Sequence, residues 1–344
     1  MKKFLFLSVF LVLAAACFKE PVRFVEEYTV TEKLNTGLDI SKILSEDVEK
    51  NLVYDWDEVT MGKIGYTYPD SLVGYLIKSG SKEVNEVYGF GDSKEFVLDF
   101  DKPYGVLFHN VTQRTDYNFT ESGLFCTPTG LNDTTRIVQN FEEQYSVYGK
   151  NTLGEIRDKV EELTNVYGKT SYKYTLEAQV EPVSYIYILQ VIVYDDDSTV
   201  PMEISGYNYL ALDGLAMECD IMNRQNTKRE CRIVSTSLKP MQAGIDYLIF
   251  AERFVTYGLP KDASSSWNAN DKRVCAGINF IMNSGEEVPG RVDITNQFIN
   301  KPYGGVLTVN LKNSDIENSA SMAPGDPFDI IVTPWDEYVF DIDF

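Results

Sequence analysis

The chain has 344 residues, of which 44% are apolar and 13% aromatic, so it can bury a sizeable core. Its formal net charge of −21 argues against nucleic-acid binding, which needs clustered lysine and arginine, and against broad electrostatic binding to anionic lipid. Such an acidic balance is typical of a protein that stays soluble outside the cell.

The first sixteen residues, MKKFLFLSVFLVLAAA, have the pattern of a secretory signal, with a positive start, an apolar middle and small residues before a cut. The uncharged stretch of thirteen residues is shorter than the roughly 20 that a membrane-spanning helix needs. Ala14 and Ala16 alone suit an ordinary signal peptidase, which would give a plain secreted protein. Cys17 follows directly, however, and makes the segment similar to a bacterial lipobox, in which the cysteine thiol receives a diacylglycerol. We therefore expect removal of residues 1–16 and lipidation of Cys17.

Two segments have helical periodicity. Residues 38–50 are a helical candidate, and residues 152–163 begin with a capping-box pattern and repeat apolar residues on one face. The second segment lies between two strand-rich halves. This position of the helix, together with the length of the chain, predicts two domains after the signal peptide, 17–165 and 166–344.

Strand signals dominate the chain and predict a mostly β fold with antiparallel sandwiches and few helices. Residues 94–111 have the pattern of a strand, a Pro-Gly turn and a second strand. Other runs of β-branched and aromatic residues predict strands over 185–197, 272–282, 304–311 and 329–344.

The four cysteines after Cys17 have no CxxC spacing and no histidine cluster beside them, so we expect no metal site. Four cysteines allow three full pairings, and the sequence does not choose among them. A hairpin folded near Gln225 would bring Cys219 opposite Cys231, as a disulfide or as two apolar thiols.

Catalytic signatures are missing from the sequence. The single histidine, His109, lies in a predicted strand, and no G-x-S-x-G elbow surrounds any serine. No G-x-G-x-x-G or phosphate-binding loop occurs, so we expect no cofactor and no enzymatic activity. The aromatic residues, among them Trp56, Trp267 and Trp335, fit either a sugar-binding platform or the core of a β-sandwich.

Several short motifs occur in an order that resembles the FimB-type fimbrial anchor family and related uncharacterised lipoproteins of the Bacteroidales. These motifs are LVYDW (52–56), FVLDFDKPYGVLFHN (96–110), LDGLAMECDI (212–221), FVTYGLP (254–260), VDITNQF (292–298) and TPWDEYVFDI (333–342). The resemblance implies two tandem transthyretin-like antiparallel β-sandwich domains. It also implies an outer-membrane lipoprotein that faces the cell exterior and belongs to a type V pilus or a similar assembly.

The resemblance further implies binding to fimbrial or other surface subunits by strand addition, in which one chain's strand completes the sheet of the next. We expect an anchor or accessory subunit of a fimbria-like assembly, with residues 327–344 as the mobile strand and with acceptance favoured over donation. The alternative is a surface glycan-binding lipoprotein of a nutrient-uptake system, which would use Trp56 or Trp267.

Replacement of the lipidation site tests the expected anchor. Cys17→Ser should give a folded protein that no longer partitions into detergent, because the acyl chains rather than the fold would hold it on the membrane. Detergent partitioning of the variant and the unmodified chain measures this. Retention of Cys17→Ser on membranes after a carbonate wash would contradict the expectation.

Overall fold

Strands make up most of the chain, as the sequence predicts. The computed structural model describes residues 24–30, 39–78, 81–89, 93–98, 104–120, 123–129, 137–151, 161–164, 170–173, 175–178, 181–195, 201–227, 230–235, 239–261, 274–320 and 328–330. Within these ranges four helices occur, and the strands form multiple sheets that are mainly antiparallel. The mostly β fold with few helices is confirmed, while the transthyretin-like topology stays a prediction.

The strands are numbered in chain order. The first twelve are β1 (Phe24–Val30), β2 (Ser71–Lys78), β3 (Ser81–Gly89), β4 (Ser93–Leu98), β5 (Tyr104–His109), β6 (Thr115–Phe119), β7 (Leu124–Pro128), β8 (Ile137–Gln139), β9 (Tyr145–Asn151), β10 (Glu161–Thr164), β11 (Thr170–Lys173) and β12 (Thr175–Ala178). The others are β13 (Glu181–Pro182), β14 (Tyr185–Tyr194), β15 (Ile204–Ala216), β16 (Cys219–Asp220), β17 (Gln225–Asn226), β18 (Glu230–Ser235), β19 (Gln242–Ala243), β20 (Tyr247–Thr256), β21 (Cys275–Met282), β22 (Glu287–Asp293), β23 (Gly305–Lys312) and β24 (Phe328–Ile330). The helices are α1 (Ile40–Asn51), α2 (Glu58–Met61), α3 (Thr295–Asn300) and α4 (Asn313–Ala320).

The chain divides into two compact units that are not continuous in sequence. Unit 1 contains residues 1–33, 70–108 and 147–180, and unit 2 contains residues 34–69, 109–146 and 181–344. This division differs from the predicted one, 17–165 and 166–344. The physical reason is strand pairing inside unit 2, where β8 pairs in parallel with β18 and β7 pairs with β16.

Most of the sheets consist of strands from a single unit. In unit 1, β1 lies between β12 and β4, β10 pairs with β11, and β9, β5, β2 and β3 follow one another in a further sheet. In unit 2 the largest sheet has the order β24-β22-β21-β15-β18-β8. Two four-stranded sheets, β19-β20-β14-β23 and β17-β16-β7-β6, complete unit 2.

The core of unit 2 lies between the six-stranded sheet and the sheet that contains β14. Phe250 on β20 and Phe280 on β21 meet edge to face, with ring centroids 5.8 Å apart. Tyr207 on β15 contacts Phe250 in the same way at 5.1 Å. Side chains from two facing sheets therefore share one apolar layer, which is the arrangement of a β-sandwich.

The sequence predicts strand β14, which lies inside the four-stranded sheet β19-β20-β14-β23. The run of β-branched and aromatic residues at 185–197 forms β14, which is paired on both edges by β20 and β23. Seven of its ten residues, 186–191 and 193, are buried. A strand covered on both faces needs a near-continuous apolar run, which is why the signal is strong.

Two local predictions need correction. Residues 94–111 form two strands but no hairpin, because β4 pairs with β1 while β5 lies in the sheet with β9 and β2. The predicted helix 152–163 mostly lies outside the described residues, and its last three residues belong to strand β10, which pairs with β11. The predicted helix 38–50 is confirmed as α1.

His109 is the last residue of β5 and is fully buried. Its Nδ1 lies 2.7 Å from the carbonyl oxygen of Asn110, and its ring lies 4.8 Å from that of Tyr117. Burial lowers the pKa of His109 to about 4, since a charged imidazole would lose its hydration. The side chain is therefore a neutral core residue at neutral pH.

The low pKa of His109 makes the stability of the fold depend on pH. Because the unfolded side chain has a pKa of about 6.5, acid favours unfolding, and the contribution present above pH 6.5 is lost as the pH falls towards 4. We expect the unfolding free energy to drop by about 1 kcal/mol more in the unmodified chain than in His109→Gln between pH 7 and pH 5.5. Denaturant titrations at both pH values measure this. An equal drop in the two proteins would contradict the assigned neutral state.

Candidate functional site

Strand addition requires a sheet edge that is open or that holds a replaceable strand, so the sheet edges of unit 2 are the first candidate site. The edge at β23 is already covered by side chains. The N–H of Val306 donates to Oδ2 of Asp47 at 2.6 Å, and the N–H of Thr308 donates to Oε1 of Gln297 at 2.9 Å. Nε2 of Gln297 also donates to the carbonyl oxygen of Thr308 at 2.7 Å. Over these residues the edge of β23 cannot form a ladder of backbone hydrogen bonds with a further strand.

Asp47 reaches β23 because α1 holds it there. The helix begins at an N-cap, Asp39, whose Oδ1 accepts from the N–H of Lys42 at 3.0 Å. The carboxylate of Asp47 is also bound by Nζ of Lys301, at 2.8 and 2.7 Å from its two oxygens. Gly305, with φ of +146°, allows this close approach, because a Cβ there would collide with Oδ2 of Asp47.

A different situation holds at β22, which lies between β21 and the short outermost strand β24 in the six-stranded sheet. The N–H of Met282 donates to the oxygen of Glu286, and that of Ile294 donates to the oxygen of Val274, both at 2.9 Å. In an antiparallel pair these bonds alternate, so the even-numbered residues of β22 bond β21. The odd-numbered residues, 287, 289, 291 and 293, point their backbone groups away from β21, at the outer edge.

Pro289 occupies one of these outward positions and has no N–H to donate. The outer edge of β22 is therefore interrupted near its middle, and Arg291 carries the first outward N–H beyond the proline. Side chains alternate along β22, with Val288, Gly290 and Val292 buried and the others exposed. An added strand would thus extend a sheet that already has one buried face.

The described part of the predicted mobile segment, 327–344, lies on this edge. β24 pairs in parallel with β22, with Phe328 opposite Gly290 and Ile330 opposite Val292. The pairing begins just past Pro289, where outward N–H groups resume. The segment from 331 to 344, with Trp335, lies outside the described residues.

The cysteines have different neighbours from those predicted. The turn near Gln225 does form, but Cys219 on β16 faces Asn226 on one side and Cys126 on the other. Cys231 lies on β18 opposite Leu215, so the predicted facing of Cys219 and Cys231 is wrong. Both positions beside Cys219 are already filled, which local periodicity does not reveal. Cys17 lies outside the described residues.

A cavity of about 240 Å³ is the second candidate site, and it lies wholly within unit 2. Aromatic and charged side chains share its wall: Tyr185, Tyr257, Tyr303, Arg224, Glu181 and Asn226. The rings of Tyr185 and Tyr303 meet edge to face, with centroids 6.0 Å apart. Burial raises the pKa of Tyr185, so its hydroxyl stays protonated and can donate a hydrogen bond.

Arg224 gives this cavity its polar side. Its φ of +52° lies in the left-handed region, which a residue with a Cβ adopts at a cost. The guanidinium pairs with Glu181, and its Nη2 donates to the oxygen of Ser146 at 2.8 Å. Because the two charges neutralise each other, the wall suits an uncharged polar ligand better than an ion.

Trp56 is half-buried and occupied by other contacts. Its Nε1 donates to the oxygen of Gly62 at 2.9 Å, and Nζ of Lys239 lies 5.7 Å from the ring centroid. Trp267 lies outside the described residues.

Among the residues that the structure describes, no cluster of three metal-ligating side chains occurs, and no helix is long and apolar enough to cross a membrane.

Sequence reasoning missed the residues that decide which edge is covered. Gln297 belongs to the motif VDITNQF, which supported the family resemblance without a stated role. In the structure Oδ1 of Asp293 accepts from the N–H of Thr295 at 2.9 Å, and the N–H of Val274 donates to Oγ1 of Thr295 at 3.0 Å. The motif therefore fixes the turn from β22 into α3 and aims Gln297 at β23.

No protein-family model matches the chain, and no curated protein matches it. Solved structures do match. A "putative adhesin" from Bacteroides ovatus is 12% identical, with a TM-score of 0.48 over 91% of this chain and 93% of that one. The fimbrial anchor protein Mfa2 from Porphyromonas gingivalis is 12% identical, with a TM-score of 0.42 over 84% and 90%. A protein from Bacteroides thetaiotaomicron with "putative polysaccharide binding" in its description is 9% identical, with a TM-score of 0.40 over 84% and 91%. The structures similar to this chain thus include a fimbrial anchor and adhesion proteins of the Bacteroidales. The sequence motifs resemble proteins of the same kind.

Proposed function

We propose that this chain is a cell-surface adhesion-type lipoprotein that accepts a strand from a partner subunit at the outer edge of β22. In this role it serves as the anchor or an accessory subunit of a fimbria-like assembly. The observation that carries the proposal is the direction of the odd-numbered backbone groups of β22, away from β21. One similar structure is named a fimbrial anchor, and the proposal gives this chain a role of the same kind.

The contrast between two edges supports β22 as the acceptor. At β23, Asp47 and Gln297 use up the outward groups of Val306 and Thr308. At β22 the described partner, β24, spans three residues of a seven-residue strand. An incoming strand can replace β24 or extend beyond it, and main-chain hydrogen bonds then supply affinity.

The side chains of β22 define what the incoming strand must offer. Its inward face meets the apolar layer beside Val288 and Val292, so alternate apolar residues are required. Its outward face lies beside the exposed charges of Glu287, Arg291 and Asp293. A partner subunit with a strand of alternating apolar and polar residues fits both faces.

The anchoring part of the proposal rests on the sequence. The signal pattern at residues 1–16 and Cys17 support lipid attachment to the outer membrane, with the folded units facing the exterior. No catalytic step, cofactor or nucleic acid has a part in this role. The neutral, buried state of His109 supports a non-enzymatic function, because that imidazole is a core residue.

One backbone N–H tests the acceptor edge. Arg291→Pro removes an outward N–H without touching the bonds to β21, whereas Arg291→Ala keeps that N–H and loses the same contact with Asp213. We expect crosslinking of intact cells to recover at least tenfold less partner subunit with Arg291→Pro than with Arg291→Ala. Circular dichroism confirms that both variants fold. Equal recovery with the two variants would rule out β22 as the acceptor.

A second variant separates acceptance from donation. Ile330→Pro weakens β24 and leaves β22 intact, so an acceptor edge should bind its partner as well as before or better. Loss of the partner with Ile330→Pro, together with full binding by Arg291→Pro, would instead make the C-terminal segment the donor.

A second candidate function is glycan binding in the cavity of unit 2. The paired charges of Arg224 and Glu181 beside the rings of Tyr185 and Tyr303 favour it, because sugars offer hydroxyl groups to polar side chains and C–H faces to aromatic rings. This role would suit a surface lipoprotein of a nutrient-uptake system.

Two equally exposed tyrosines provide a matched test of the cavity. Tyr303 and Tyr247 are each 37% exposed, but only Tyr303 is among the residues that line the cavity. With a panel of methyl pyranosides as probes, we expect Tyr303→Ala to weaken binding at least fivefold and Tyr247→Ala to leave it unchanged. Titration calorimetry or saturation-transfer NMR measures this. Absence of binding by the unmodified chain would rule out the glycan-binding function.

A further inference from the structure

The register of a short strand pair places two buried cysteines side by side. Cys219 on β16 lies opposite Cys126 on β7, and both side chains are almost completely buried, at 2% and 0% exposed. The N–H of Ile221 donates to the oxygen of Leu124 at 2.9 Å, two positions further along the same pair. Cys219 and Cys126 are therefore a hydrogen-bonded pair, in which the Cα atoms are about 5.5 Å apart. This distance lies inside the range of about 4.4–6.8 Å that disulfides need.

The other two cysteines are separated from each other by a strand. Cys231 lies opposite Leu215 of β15, and Cys275 lies opposite Asp213 of the same strand. Since β15 runs between them, their backbones are about 10 Å apart, beyond the reach of a disulfide. Among the described cysteines, the facing pair is thus Cys126 and Cys219.

We propose that Cys126 and Cys219 form a disulfide in the exported protein. Both thiols are free in the structure, so the proposal concerns their oxidation. The two S–H bonds break, one S–S bond forms, and two electrons and two protons pass to the disulfide of a thiol–disulfide oxidoreductase, which becomes a dithiol. The inference rests on the export that the proposed function includes, because exported compartments permit disulfides and the cytosol does not.

The surroundings of the pair tolerate this bond. Sγ of Cys126 lies 3.9 Å from Oε1 of Gln144, to which it donates weakly as a thiol. That oxygen also accepts from the hydroxyl of Tyr117 at 3.1 Å, so oxidation leaves it with a partner. Burial raises the pKa of both thiols, which keeps thiolates scarce in the folded state. The bond therefore forms while the chain folds and is slow to exchange afterwards.

A bond at this place joins two distant segments of unit 2. Cys126 belongs to the segment 109–146, and Cys219 belongs to the segment 181–344. The β7–β16 pairing that joins them comprises few residues. A covalent link would keep the two segments together when a bound partner pulls on the unit.

Counting thiols in the full exported chain tests the bond. The protein is denatured without reductant, alkylated with iodoacetamide, digested and examined by mass spectrometry. We expect alkylation of Cys231 and Cys275, protection of Cys126 and Cys219, and one peptide pair joined through Cys126 and Cys219. Full alkylation of all four, or a bond between Cys219 and Cys231, overturns the proposal.

The same digest separates failure of the bond from failure of export. A chain that still carries residues 1–16 has not been processed, and it contradicts the proposed export. In that case refolding of the purified chain in a glutathione redox buffer, followed by the same alkylation, decides the pairing independently. As a matched control, Cys231→Ala should leave the linked peptide unchanged, whereas Cys219→Ala should leave Cys126 open to alkylation and lower the melting temperature more.

Discussion

Backbone groups at the edge of a strand need hydrogen-bond partners, and unit 2 meets this need differently at β23 and at β22. At β23, Asp47 and Gln297 bond the outward groups of Val306 and Thr308, so helices α1 and α3 close the ladder. At β22 a proline removes one donor, and β24 pairs with the residues beyond it. One edge is thus closed by side chains, while the other is completed by backbone from another part of the chain, which is the chemistry that strand addition uses.

Unit 2 depends on pairing between segments that are far apart in sequence. β7 and β8 come before residue 140, yet they pair with β16 and β18. Helix α1 lies near the start of the chain, and its Asp47 bonds Lys301 and Val306. Contacts of this kind form late in folding, because long loops must close before the contacts stabilise the fold. A covalent link between β7 and β16 would hold one of these distant junctions.

The motifs that support the family resemblance have structural roles in the described residues. Within VDITNQF, Asp293 and Thr295 fix the turn after β22, and Gln297 reaches the edge of β23. Just after this motif, Lys301 bonds Asp47 and Gly304 adopts a positive φ. These motifs therefore describe how the sandwich closes its edges. Under the proposed function, partner choice would depend instead on the edge of β22 and the side chains around it.

The sequence by itself determined the elements whose signals are local. The apolar run at 185–197 predicted β14, and the periodicity at 38–50 predicted α1, because burial on both faces or on one helical stripe imprints a period on the chain. Only the tertiary structure decided the pairing partners. β4 and β5 separate into different sheets, and Cys219 faces Cys126 instead of Cys231. The alternation of residues along a strand indicates which side chains are buried. It carries no information about which distant strand pairs with it, and the pairing decides which strand edges remain accessible.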